Sequence, residues 1–199
     1  SLAAQSAIAP EIVAKFASHA QKIRLLPEIQ SGDALVAICN SEQGSGTNLK
    51  AMKSVCAIDE NGAGLIRATK PLATNAFGAR HVFVSAWEKG SVQINPTMEL
   101  FVVDAEFAKT ASVAHLLSGF RTGNCGSLEI ENAPVNVNTD RLGPAGSGVN
   151  IFKHCFDYER LYLGVLVAGV LDGLEELAFN KLATRPTLQD KQYVQEKAI

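Results

Sequence analysis

VNIFKHCFDYERLYLGVLVAGVLDGLEELAFNKL, residues 149–182, runs without proline, and its apolar residues recur at three- and four-residue spacing. That spacing marks a helix burying at least one broad face. Residues 161–171 carry no charge, so most of the helix circumference there is expected to be covered by other structure. Eleven residues are too few to cross a bilayer, which makes this a core helix. Gly164, Gly169 and Gly173 each cost roughly 1 kcal/mol of helix propensity relative to alanine. Such glycines are tolerable where a neighbouring helix must approach closely. Just before the apolar run stands the polar cluster Asp157-Tyr158-Glu159-Arg160, the first place to look for chemistry.

A chain of 199 residues holds one large domain or parts of two. With 47% hydrophobic and 19% charged residues it can bury a core, and nothing in it suggests disorder. A net charge of -2 gives no electrostatic reason to expect nucleic acid or an anionic membrane as partner. Cys39, Cys56, Cys125 and Cys155 are scattered without metal-ligand spacing, and His19, His81, His115 and His154 form no helical ligand pair, so no metal is expected. The thiols read as reduced and the compartment as intracellular. Residues 1–27 lack the basic start and unbroken apolar core of a signal peptide. They read as one or two helices, Pro10 opening the second, whose apolar faces have no obvious partner later in the chain. The chain stops inside another helical pattern, QDKQYVQEKAI, and so reads as a piece of something larger.

Outward from the long helix, the period changes from helical to strand-like after residues 31–33. Residues 34–40 (ALVAICN) form a short apolar run suited to a buried strand. Residues 50–59 and 64–70 are joined by Glu60-Asn61-Gly62-Ala63, and Asn-Gly is a strong hairpin signal. Further strands are expected over 80–87, 98–104 and 127–131. The fold class is therefore α+β: an antiparallel barrel or sandwich between helical segments. The glycine-rich residues 142–148 read as a hinge between the strands and the long helix. The run 42–48 (EQGSGTN) lets backbone approach a ligand closely and offers hydroxyls, yet it is no Walker loop and no GxGxxG. Taken alone it is a tight polar turn.

Together these stretches resemble the acyl-CoA dehydrogenase family over almost the whole chain. SEQGSGTN (41–48) is similar to the family's TEP-x-x-G-S-D segment, TKPLATNA (69–76) to its G-x-K-x-x-I-T-N segment, GFRTGN (119–124) to its G-x-R turn and DYERL (157–161) to its L-D-x-x-R helix start. The resemblance makes residues 1–33 the end of an N-terminal helical domain, 34–148 the middle β-domain and 149–199 the start of a C-terminal helical bundle. It implies FAD, with Ile38, Cys39, Asn40, Ser41 and Thr47 on one side and Leu72, Ala73 and Thr74 on the other edging the cofactor. Ser41 and Thr74 would hydrogen-bond the ring, and Thr47 would also face the acyl-CoA. Asp157, Tyr158 and Arg160 would meet coenzyme A; by spacing alone, Asp157 and Arg160 at i, i+3 are a helix ion pair.

Glu159 is the residue the resemblance offers as the base that removes the acidified α-proton of the thioester, as in the isovaleryl and long-chain branches. Its helical neighbours Cys155, Phe156, Tyr162 and Leu163 are mostly apolar, which predicts desolvation and a raised carboxyl pKa. The other reading is a structural glutamate satisfied by a basic residue on another helix.

The resemblance implies an acyl-CoA substrate, electron-transfer flavoprotein or a similar acceptor, and a homo-oligomer when full length. It places the protein in the cytoplasm of a bacterium or the mitochondrial matrix of a eukaryote. Three departures stand out. Leu72 replaces the family's tryptophan over the flavin, Ser41-Glu42-Gln43 replaces Thr-Glu-Pro, and residues 181–185 (KLATR) lack the R-x-x-F-G pattern. Two alternatives follow: a flavin monooxygenase of the same fold, or a degenerate, non-catalytic subunit of a heteromeric assembly.

Overall fold

The computed structural model describes residues 4–46, 48–90, 97–112 and 124–185. Thr47, most of the 119–124 turn and the C-terminal helical pattern lie outside the described residues. The chain divides into two compact units, residues 1–158 and 159–199.

A π-helical turn, Ala4–Ile8, leads into α1 (Ala9–Phe16), which Pro10 opens, and α2 (His19–Ser31) follows. Proline fits the first helical turn, where its missing N–H would have no partner. Ser18 starts α2 with a capping box: its hydroxyl accepts from the Gln21 amide at 3.3 Å, and the Gln21 side chain accepts from the Ser18 amide at 2.8 Å. Pro27 sits inside α2, and Gly32 ends it in the left-handed region at φ 84°. The apolar faces that lacked an obvious partner in the sequence do find one. Ile12, Val13, Leu25 and Ile29 bury against Phe83, Leu100 and Val102 of the sheet and Ile151 and Phe152 of the long helix.

The strands are β1 (Leu35–Cys39), β2 (Val55–Ile58), β3 (Ala63–Ala73), β4 (Ala79–Gly90), β5 (Thr97–Asp104), β6 (Ala108–Ser112), β7 (Gly126–Asn136) and β8 (Arg141–Leu142). They form one sheet in the order β6-β7-β3-β2-β4-β5-β8, with β1 also on β4. Of the expected barrel or sandwich, the closed form is not made among the described residues: β6 and β8 end the sheet. Nor is the pairing wholly antiparallel, because β1 and β2 both run parallel to β4, along successive halves of its length. The sheet instead folds over itself. Val82, Val84, Phe101 and Val103 of β4 and β5 pack on Ile66 of β3 and Leu128, Ile130 and Val135 of β7. Phe83, Leu100 and Val102 on the opposite face meet the helices. Burial on both faces is why β4 and β5 read as nearly unbroken apolar runs.

The Asn-Gly hairpin forms as its sequence demands. The Asp59 carboxylate accepts from the amides of Asn61 at 2.8 Å and Ala63 at 3.0 Å, and Gly62 takes φ 80°. Strand β7 runs beyond the expected 127–131 because a bulge sets two residues, Glu131 and Asn132, opposite Arg67. Asn132 accommodates it at φ 58° and its side chain accepts from Arg67 Nε at 2.6 Å. The bulge breaks the alternation that marks the strand in the sequence.

The long helix, α3, spans Gly148–Ala183. Gly148 lies directly on the Met98 carbonyl, with no room for a Cβ. His154 ties the start of α3 to α1: its Nε2 lies 2.8 Å from the Glu11 carboxylate, and Lys15 Nζ donates to its Nδ1 at 3.2 Å. Among the described residues, the covering expected for residues 161–171 is absent. Every residue from 156 to 178 is exposed, Leu161 at 66%, and nothing lies within 4 Å of a Cβ placed on Gly164, Gly169 or Gly173. Residues 142–148 are no loose hinge either. Gly143 and Gly146 make tight positive-φ turns, and the Gly146 amide donates to Glu99.

Candidate functional site

β1 and β3 bring two separated groups of the expected site residues to one end of the sheet. Ile38 and Thr74 form an antiparallel bridge, so residues 38–41 leave β1 beside residues 72–74 leaving β3. Ser41 is exposed, Thr74 is half-buried, and neither hydroxyl makes a hydrogen bond to a described residue. Leu72 presents an apolar side chain, 48% exposed, next to them. Ala73 and Cys39 are buried beneath this edge, and burial pushes the Cys39 thiol up to about 12, with Lys70 opposing. Ile38 and Asn40 are half-buried.

The chain just behind this edge is held by a buried polar network whose charged members, Glu42 and Lys70, fall in the segments 41–48 and 69–76, though the sequence reading gives neither a role. Lys70, fully buried on β3, donates to Glu42 Oε1 at 2.8 Å, the Asn40 carbonyl at 3.1 Å and the Ser85 carbonyl at 3.1 Å. Glu42 also accepts from the amides of Lys53 at 2.6 Å and Ser54 at 3.1 Å and from the Ser54 hydroxyl. Ser85 Oγ on β4 donates to Asn40 Oδ1 at 2.9 Å. Burial alone would raise the Glu42 carboxyl, but the hydrogen bonds from Lys70, Ser54 and Lys53 outweigh it and hold it below the usual carboxylate range. Burial likewise depresses the Lys70 ammonium, and Glu42 offsets only part of that. The alternation of β3 contains the signal. Ile66, Ala68 and Lys70 share the inward face, and a lysine there requires a partner.

The remaining expected residues are on α3. Asp157, Tyr158, Glu159 and Arg160 are all exposed, Asp157 and Tyr158 in the first unit and Glu159 and Arg160 in the second. The Tyr158 ring lies 5.0 Å from that of His154. Among the described residues nothing covers Glu159: of the neighbours expected to desolvate it Cys155 is buried, while Phe156, Tyr162 and Leu163 are exposed.

A separate groove of about 460 Å³ lies along β3 and β7, lined by Gln43, Lys53, Arg67, Thr69 and Glu129 among others. No residue of the 38–41 or 72–74 edge lines it. No disulfide joins any of the four cysteines. Among the described residues there is no cluster that could hold a metal, and no helix long and apolar enough to cross a membrane.

No protein-family model matches the chain. Among curated proteins it is similar to the mitochondrial 2-methylacyl-CoA dehydrogenase of Solanum tuberosum, 27% identical over 159 residues, which is 79% of this chain and 38% of that protein. It is also similar to the mitochondrial isovaleryl-CoA dehydrogenase of Oryza sativa subsp. japonica, 27% identical over 163 residues, 81% of this chain and 39% of that protein. Among solved structures it matches butyryl-CoA dehydrogenase from Megasphaera elsdenii with a TM-score of 0.84 at 19% identity, over 98% of this chain and 52% of that one. The chain thus spans under two fifths of the two curated relatives and about half of the solved protein. These likenesses point to the acyl-CoA dehydrogenase family, and the α+β fold, with its largely antiparallel sheet, matches that of the solved relative.

Proposed function

We propose that this chain is part of an FAD-dependent acyl-CoA dehydrogenase, which converts an acyl-CoA to its 2-enoyl thioester. The observation that carries the reading is the meeting of residues 38–41 with 72–74 at one end of the sheet, where the resemblance puts the flavin edge. The donor set suits that group. Two hydroxyls with no described partner, Ser41 and Thr74, can serve polar ring atoms, and exposed Leu72 offers an apolar face to a planar ring. Leu72 is smaller than the tryptophan it replaces and cannot stack, so the hold on the ring depends more on the hydroxyls.

When bound, FAD supplies the hydride-accepting centre. The chain's own work is to orient the substrate and move one proton. Glu159 is assigned the α-proton, and Asp157, Tyr158 and Arg160 the coenzyme A moiety. These roles are supported by position in the DYERL segment; burial of Glu159 adds nothing to them. Thr47 is assigned to flavin and substrate by its position in the SEQGSGTN segment. Electrons then leave to electron-transfer flavoprotein or a similar acceptor, in a mitochondrial matrix or a bacterial cytoplasm, from a homo-oligomeric full-length enzyme.

The test is a titration of the purified protein with FAD, followed by anaerobic addition of acyl-CoAs of several chain lengths. Flavin binding and bleaching by at least one acyl-CoA are expected. Binding without bleaching would overturn the dehydrogenase reading in favour of the flavin monooxygenase of the same fold. No binding would overturn the flavin reading itself.

A further inference from the structure

We propose that Lys70 is a positioning residue for the flavin edge: its ammonium grips the main chain at Asn40 and the carboxylate of Glu42, fixing the course of the chain as it leaves β1. The inference rests on the functional reading above. Lysine is almost never fully buried unless paired, yet Lys70 is among the largest fully buried side chains of this chain. Its partners come from three places that are distant in sequence. They are Asn40 and Glu42 after β1, Met52 (Sδ, 3.6 Å) before β2 and Ser85 on β4.

A buried ion pair is a poor way to gain stability, because desolvating both charges offsets most of their attraction, and apolar residues of similar volume often do as well. What such a pair supplies instead is geometry. Every hydrogen-bonding contact of Lys70 lies on the segment 40–42 or on the structure directly behind it. The Asn40 carbonyl that it grips belongs to the main chain between Cys39 and Ser41, two of the residues the resemblance sets against the cofactor. Lys70 is also on the strand that ends at Ala73, beside Thr74, so β3 carries both the grip and the opposite hydroxyl. Ser85 completes the clamp: its one hydroxyl proton can go to the Asn40 side chain at 2.9 Å or to the Cys39 carbonyl at 3.3 Å. Glu42 and Ser45 exchange backbone hydrogen bonds of 3.4 and 3.0 Å, so the turn beyond Ser41 moves with Glu42.

The experiment is Lys70→Met/Glu42→Gln, which removes both charges at nearly constant volume and leaves no unpaired ion. Circular dichroism is expected to match the parent. Hydrogen exchange should quicken at the amides of Glu42 and Ser45 but not in the β4–β5 ladder. FAD binding, followed by flavin fluorescence, should weaken by about tenfold or more, the worth of a hydrogen bond to a charged group, with a changed visible flavin band. Parent and variant binding FAD with equal affinity and identical spectra would overturn the positioning role and leave the functional reading standing. A parent that does not bind FAD would overturn the functional reading, and this inference with it. Should the double variant fail to fold, Glu42→Gln alone loosens the shortest contact of Lys70. The same loss of FAD affinity is then expected, and an unchanged affinity and spectrum would again overturn the positioning role.

Discussion

Ile38 and Thr74 pair across an antiparallel bridge, which sets the end of β1 against the end of β3 although they stand 36 positions apart in the chain. That bridge sets the segment leading to Ser41 beside the one that carries Thr74. Thr74→Val deletes the hydroxyl, keeps the β-branched shape and leaves the bridge, which is main chain. FAD affinity should fall by about 0.5–1.5 kcal/mol, up to roughly tenfold, with no change in folding. A fluorescence titration reads this, and an unchanged affinity and potential would remove Thr74 from the site.

Gly148 begins α3 against the main chain of β5. A Cβ there would collide with the Met98 carbonyl and stand 3.0 Å from the Glu99 carbonyl carbon. Strand β5 is paired on both sides, by β4 and β8, so it has little room to yield. Gly148→Ala should therefore destabilise by about 1–3 kcal/mol, the cost of overpacking. Gly164→Ala is the contrast: its Cβ meets nothing within 4 Å and gains roughly 1 kcal/mol of helix propensity. Urea unfolding of the two variants should move in opposite directions.

Glu99 and Glu42 give opposite pH dependences. Glu99 is fully buried, and burial raises its carboxyl against the opposing effects of Thr97, the Gly146 amide and Arg141. Between its unfolded pKa, about 4.3, and its raised folded value, the native state keeps a proton that the unfolded chain has lost. Its stabilising contribution is whole below that window and is lost as pH rises through the folded value. Glu42 is depressed, so its contribution is present above the ordinary value and is lost as pH falls through the folded one. Glu99→Gln removes only the first effect. Urea midpoints measured from roughly pH 4 to pH 8 should decline less with rising pH in the variant than in the parent. An equal decline in both would show that Glu99 is not its source.

Glu159→Gln keeps the shape of the side chain and removes its ability to take a proton. If it is the base, FAD and acyl-CoA still bind while flavin reduction slows by roughly 10²–10⁴-fold, the usual worth of general base catalysis. Stopped-flow bleaching of the flavin measures that step. Reduction at the parent rate would leave Glu159 a surface residue of α3.

The elements are legible in the sequence because they are local. The 3.6-residue period of 149–182 is α3, the Asn61-Gly62 pair is the β2–β3 turn, and the apolar runs at 34–40 and 98–104 are β1 and β5. What the tertiary structure decided is which distant residues meet. Parallel pairing of β1 and β2 with β4 leaves no mark in a run of apolar residues, because a strand buried on both faces looks the same whichever way its neighbour runs. The Glu42–Lys70 pair joins residues 28 apart, and only the inward phase of β3 hints at it. Residues 161–171 show the converse. Their apolar period does make a helix, but a period reports which side chains shun water and says nothing of whether a partner surface lies against them.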